Sequence, residues 1–159
     1  MSESTEVLAE IGRKVKGRIL LVGRKIGQEK FNILGACLRL EAKPQKYPVG
    51  GGVIAWERGL LSKISDGDFD SIVLHRFLYK PVKVYIEDPL EILAEAKRIL
   101  PDGGVLVVNS FLLDDTTRNF RSAKSFYTEC EMMAMLKNQG FSKLEPVSIG
   151  ETHLFICER

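Results

Sequence analysis

Cysteine, histidine and tryptophan are scarce in this sequence, and long apolar runs are missing. Its 159 residues hold three cysteines, two histidines and one tryptophan. Cys37, Cys130 and Cys157 are odd in number and far apart, with no Cys-x-x-Cys and no paired histidine. That excludes a disulfide framework and a zinc-finger pattern, and it predicts reduced, buried thiols. No apolar stretch approaches the roughly 20 residues of a membrane span. The opening MSESTEVLAEIGRKV is acidic before it is basic, the reverse of a secretion signal. Neither charge dominates: 23 Lys and Arg against 21 Asp and Glu leave a net charge of +2, too balanced for a nucleic-acid footprint. With 45% hydrophobic and 28% charged residues, the chain has the means to build a core and no signature of disorder. These absences predict a single cytoplasmic domain over residues 1–159.

Apolar runs alternate with amphipathic stretches. Val7, Leu8, Ile11 and Val15 share one face of a helix expected over 4–16. RILLVG (18–23) is continuously apolar, as in a strand buried on both faces of a parallel sheet. In GQEKFNILGACLRLEA, the spacing of Phe31, Leu34 and Leu38 predicts a second helix, which would end near Glu41. A Pro- and Gly-rich loop (43–52) precedes short strands at GVIAWE (52–57) and DFDSIVLH (68–75). Residues 76–86, interrupted by Pro81, fit either a loop or an extended stretch. Asp88-Pro89-Leu90-Glu91 has the form of a capping box with proline at the first helical position, opening a helix to about Leu100. The turn Pro101-Asp102-Gly103-Gly104 leads into the strand VLVVNSF. Thr128-Glu129-Cys130-Glu131 opens another helix, which turns Met132, Met135 and Leu136 inward and stops at Gly140. SKLEPVSI and THLFICE flank Gly150-Glu151 as a closing antiparallel hairpin. The layout is α/β.

Three ordered pieces then suggest a family: Phe69-Asp70 before a strand, Arg98-Ile99-Leu100-Pro101 with Gly103-Gly104, and Gly140-Phe141 before the hairpin. Over about residues 66–158 the chain resembles class I S-adenosylmethionine-dependent methyltransferases. The resemblance implies a three-layer fold around an open, mostly parallel, Rossmann-like sheet with a C-terminal antiparallel hairpin. It also implies a cofactor loop after the first strand, an acidic residue followed by Gly-x-Gly-x-Gly. Here that segment reads Leu21-Val22-Gly23-Arg24-Lys25-Ile26-Gly27. The outer glycines Gly23 and Gly27 are kept, Leu21 replaces the acid, and Lys25 replaces the central glycine. Both replacements oppose a cationic sulfonium cofactor. The family's second strand ends in a ribose-holding carboxylate. With a helix assigned to GQEKFNILGACLRLEA (27–42), only one crossover fits in the 25 residues between Gly27 and Val53, so one crossover and that strand are expected to be missing. The shortened layout also resembles the N-terminal domain of anamorsin, without the cysteine-rich segment that carries that protein's clusters.

Carried over residue by residue, Gly23, Gly27, Glu57 and His75 are the cofactor-binding candidates, with Glu57 near the adenine edge. Arg76, Asn109 and Ser110 end strands at the edge where open α/β sheets bind ligands, and they are the substrate-binding candidates. His75 has the chemistry to bind substrate or move a proton. Each of these residues reads equally as a strand-end or turn former. Asp114-Asp115 reads as a solvated pair rather than a metal site. Catalytic residues are not assigned, and no metal is expected. Two functions follow. The first is a non-catalytic interaction module with a degenerate S-adenosylmethionine site. It would form a homodimer or bind a protein partner through Arg24, Lys25 and Lys30 or through the methionine-bearing helix. The other is an active small methyltransferase with an atypical loop. RNA binding through Arg13, Lys14, Lys16, Arg18, Arg24 and Lys25 is the weakest reading, against the near-neutral charge.

Overall fold

A computed structural model describes residues 5–23, 37–41, 53–55, 59–80, 88–121 and 123–159. Its elements run α1 (Thr5–Lys14), β1 (Ile19–Gly23), β2 (Cys37–Glu41), β3 (Val53–Ala55), β4 (Ser71–His75), α2 (Pro89–Ile99), β5 (Val105–Ser110), α3 (Glu129–Asn138), β6 (Ser142–Ile149) and β7 (Thr152–Glu158). Seven strands form one sheet in the order β3-β2-β1-β4-β5-β7-β6. The first five are mutually parallel. β7 runs antiparallel to β5 and to β6. The α/β class, the open and mostly parallel sheet and the closing hairpin are as expected from the sequence.

One segment differs. Cys37–Glu41, expected inside a helix, is a strand in parallel register with β1, Ile19 beside Cys37 through Gly23 beside Glu41. Within CLRLE, apolar and charged residues alternate around Arg39, the period of a strand. Five residues are too few to outweigh the helical spacing read across the longer window, and pairing with a distant neighbour decides the matter. No crossover strand is therefore missing. The connections 24–36 and 42–52 span 13 and 11 residues, near the dozen that a parallel return requires. Residues 27–36 of the expected helix, the expected loop 43–52 and residues 81–86 lie outside the described residues. The likeness to a shortened domain loses its basis, because the sheet is not shortened.

β1, β4, β5 and β7 alternate their side chains between two apolar layers. Val7, Leu8 and Ile11 of α1 pack on Ile19, Leu21, Val73, Val107 and Leu154. On the opposite face, Ile92, Leu93 and Ala96 of α2 and Met132 and Leu136 of α3 cover Leu20, Val22, Ile72, Leu74, Leu106 and Phe155. These layers exclude water from nearly every large side chain in them, at about 1.5–3 kcal/mol for each fully buried one. Helix caps form where the sequence places them. Asp88 Oδ1 accepts from Leu90 N at 2.9 Å, and Thr128 and Glu131 close a reciprocal capping box. Gly140 ends α3 at φ 90°, and Phe141 enters the core behind it. The thiols divide. Cys157 is buried as expected, whereas Cys130, in the first turn of α3, is exposed, because that turn faces away from the layer that holds Met132.

Candidate functional site

The N-terminal ends of the strands are tied together by Phe69-Asp70-Ser71. Asp70 Oδ2 accepts from Arg18 N at 2.9 Å, Asp70 N donates to Arg18 O, and Val105 N donates to Asp70 O. One residue thereby aligns β1, β4 and β5. Ser71 Oγ donates to Lys16 O and accepts from Lys16 N, both at 2.8 Å. Arg18 lies over the Phe69 ring at 5.2 Å. A second polar tie holds the turn before β4 to the end of α2: Arg98 donates to Asp66, Glu95 and the Leu61 carbonyl, and the Asp66 and Glu95 carboxylates raise its pKa. Gly104 is needed because a Cβ there would lie 2.9 Å from Pro101 O. The residues that carry the family resemblance are therefore structural ties at the N-terminal ends of the parallel strands.

The C-terminal ends hold the candidates. Gly23, Glu41 and His75 close three adjacent strands in one row, and Asn109 continues it. His75 and Asn109 are 5% and 1% exposed. Asn109 Nδ2 lies 3.1 Å from His75 Nδ1, so the amide donates, Nδ1 accepts, and the ring proton sits on Nε2. Burial, reinforced by the neighbouring Arg76 cation, lowers the His75 pKa to about 3. The ring is neutral at physiological pH and acts as a hydrogen-bonding group rather than a proton carrier near neutrality.

Arg76 follows at φ 52°, a left-handed conformation uncommon for a residue other than glycine. Its N–H donates to Asn109 O at 2.6 Å, and its guanidinium lies 4.4 Å from the Phe111 ring centre. Ser110 Oγ donates at 3.3 Å to the carbonyls of Leu78 and Phe111, which ties two loops together beneath the edge. Asp114 accepts from Thr116 N, Thr116 Oγ1 and Thr117 N. With His153 nearby, these bonds hold its carboxyl below the usual range. It serves as a turn organiser, and Asp115 pairs with Arg118. Among the described residues, no group of three or more potential ligands could hold a metal. Gly27 and Glu57, with Lys25 and Trp56, lie outside the described residues. The structure thus brings Gly23, His75, Arg76, Asn109 and Ser110 to one edge. Sequence reasoning missed Glu41 there, although it is the only carboxylate in 31–56.

The sequence matches no family model, and no curated protein is similar to it. Solved structures do match. An S-adenosylmethionine-dependent methyltransferase from Thermotoga maritima aligns over 96% of this chain and 93% of its own, with TM-score 0.69 and 18% identity. Another from Aquifex aeolicus aligns over 96% and 87%, with TM-score 0.69 and 18% identity. PigF, solved with S-adenosylhomocysteine, aligns over 96% of this chain and 61% of its own, with TM-score 0.65 and 18% identity. The chain has the class I methyltransferase fold. Among the described residues no helix is long and apolar enough to cross a membrane.

Proposed function

We propose that this protein binds S-adenosylmethionine across the C-terminal ends of β1, β2 and β4 and acts as a small methyltransferase. The carrying observation is the register of Glu41 with Gly23. The second strand ends at Glu41, in parallel backbone register with Gly23 at the end of the first. Glu41 would accept from the ribose hydroxyls, and Gly23 would let the backbone pass close to the ligand. When bound, the cofactor supplies a methyl group on a cationic sulfur. The protein's task is to orient an acceptor lone pair behind that methyl and to exclude water. The neutral His75–Asn109 pair gives the edge a fixed polar floor and adds no positive charge to that of Arg76. Free thiols at Cys130 and Cys157 suit a reducing, cytoplasmic setting.

A second reading, a non-catalytic module with a degenerate site, is favoured by Leu21. It is fully buried in the α1 layer where the family carries an acid, so the methionine end loses one polar partner. Under that reading the segment 24–30 or the methionine-bearing helix would contact a homodimer mate or another protein. Titrating the protein with S-adenosylmethionine and S-adenosylhomocysteine by calorimetry, with Trp56 emission in parallel, separates the two. Saturable 1:1 binding supports the enzyme, and Glu41→Ala should then weaken it about 10–100-fold, the worth of a hydrogen bond to a charged group. Absence of heat and quenching up to millimolar ligand favours the module.

A further inference from the structure

A hydroxyl, an imidazole and a carboxylate meet outside the edge assigned to the cofactor, where the β6–β7 hairpin faces the loop after β5. Ile149 pairs with Thr152 across the two-residue turn Gly150-Glu151. The next pair, Ser148 with His153, is then the non-hydrogen-bonded kind, whose side chains approach most closely. Val147, Ile149 and Leu154 face the α1 layer, which turns Ser148 and His153 to the opposite face. Ser148 Oγ lies 3.1 Å from His153 Nδ1, and His153 Nε2 lies 3.6 Å from Asp114 Oδ2. The other oxygen of Asp114, Oδ1, is engaged by Thr116 and Thr117 of its own turn. The packed rings of Phe111, Phe120 and Phe126 hold the same loop. A fixed, ionised carboxylate facing Nε2 keeps the proton of the neutral ring on that nitrogen, so Nδ1 accepts from the Ser148 hydroxyl. A hydroxyl that donates to an imidazole oriented by a carboxylate is the arrangement of an activated nucleophile. Ser148 is exposed. Its N–H turns away from β7, and β6 is the outermost strand, so this donor stands on the open edge of the sheet beside its own Oγ. Ser148 also lines a cavity of about 500 Å³ with Ala9, Arg13, Ile149 and Gly150, where Arg13 is already paired with Glu10.

We propose that Ser148 and His153, positioned by Asp114, form a second catalytic site that hydrolyses small uncharged carboxylic esters. Ser148 Oγ attacks the acyl carbon while its proton passes to His153 Nδ1. The tetrahedral intermediate, whose oxyanion accepts from the Ser148 N–H, expels the alcohol, which leaves with the proton from Nδ1. Water then attacks the acyl-serine with Nδ1 again as base. The carboxylic acid departs and the serine hydroxyl is restored. Asp114 touches no reacting atom: it fixes the tautomer and steadies the imidazolium that forms in each half of the reaction. The ester is uncharged because the cation lining the cavity is engaged by Glu10, and the apolar wall of Ala9 and Ile149 suits a short acyl or alkyl group. This chemistry uses no cofactor and is independent of the methyltransferase reading.

The test uses 4-nitrophenyl acetate for turnover and an alkyl fluorophosphonate for labelling, both on the full chain. Peptide mass mapping should find the phosphonate on Ser148, with fluoride displaced. Ser148→Ala should abolish labelling and lower hydrolysis by roughly a hundredfold or more, with the melting temperature unchanged. Cys130→Ser, which removes the exposed thiol as a competing nucleophile, should hydrolyse the ester as fast as wild type. His153→Ala should lose turnover as Ser148→Ala does, and added imidazole should restore part of it above the rate of imidazole alone. Asp114→Asn should lower kcat by about tenfold or more and leave KM unchanged. Labelling at another residue, hydrolysis indifferent to Ser148→Ala, or hydrolysis that falls with Cys130→Ser instead overturns the proposal. So does His153→Ala that imidazole fails to rescue. S-adenosylhomocysteine binding to Ser148→Ala, measured by calorimetry, should match wild type, so the esterase site and the methyltransferase reading stand or fall separately.

Discussion

The two ends of the parallel strands use polar residues in opposite ways. At the N-terminal end, Asp70 and Ser71 spend their side chains on the backbone of residues 16–18, and the result is alignment of three strands. At the C-terminal end, His75 and Asn109 bond to each other, and Arg76 sits in a conformation that its neighbours impose. A polar group satisfied by backbone fixes the fold. One satisfied by another side chain holds no backbone in place and leaves a buried polar pair at the strand ends. The family-like residues cluster at the first end and the candidate site at the second, so resemblance in sequence identified the scaffold without identifying an activity.

The largest expected effect lies at the aligning end. Gly17 has φ 60°, and a Cβ there would fall 2.1 Å from Asp70 Oδ2. Gly17→Ala should therefore cost about 3 kcal/mol through left-handed strain and displacement of the Asp70 carboxylate. That corresponds to a melting temperature lower by roughly 6–12 °C, with the proposed S-adenosylhomocysteine affinity of the folded protein unchanged. A loss of affinity as large as the loss of stability would mean that the two ends are not separable.

A smaller effect is expected at the His75–Asn109 pair. Between pH 6.5 and about pH 3 the unfolded chain takes up a proton that the buried ring refuses. Stability therefore falls as pH falls through this window. In denaturant titrations at pH 7.5 and 4.5, wild type should lose roughly 1–3 kcal/mol more than His75→Gln. Equal losses would show that the ring is solvated or already charged in the folded protein. The smallest effect concerns the thiols. Cys130, exposed in the first turn of α3, should react with iodoacetamide in the native protein. Cys157, at the opposite end, is pushed up to about 12 by burial and should react only on unfolding. Peptide mass mapping distinguishes the two, and native labelling of Cys157 would refute the packing of β7 on β5.

Much of the fold was legible because its signals are local. Thr128 and Glu131 cap α3 within four residues, Asp88 caps α2, and Gly140 and Gly150 end elements at positive φ. The candidate edge was legible in part. His75, Arg76, Asn109 and Ser110 follow apolar strands, and strand ends can be read from such runs. Their pairing was not legible, since the distance between His75 and Asn109 depends on β4 and β5 lying side by side. Likewise Phe111, Phe120 and Phe126 look like unrelated apolar residues until the chain after β5 folds back over itself.

Composition and local patterning by themselves determined the α/β class, the boundaries of α1, α2 and α3, the terminal hairpin and the absence of a membrane-length helix among the described residues. Each of these depends on residues within a turn or two of one another. Only the tertiary structure decided that Cys37–Glu41 is a strand and that Glu41 stands beside Gly23. A short parallel strand has no hydrogen-bond partners within its own sequence. Its ladder is completed by segments more than a dozen residues away, and the spacing of its own side chains is too brief to outweigh a competing helical pattern.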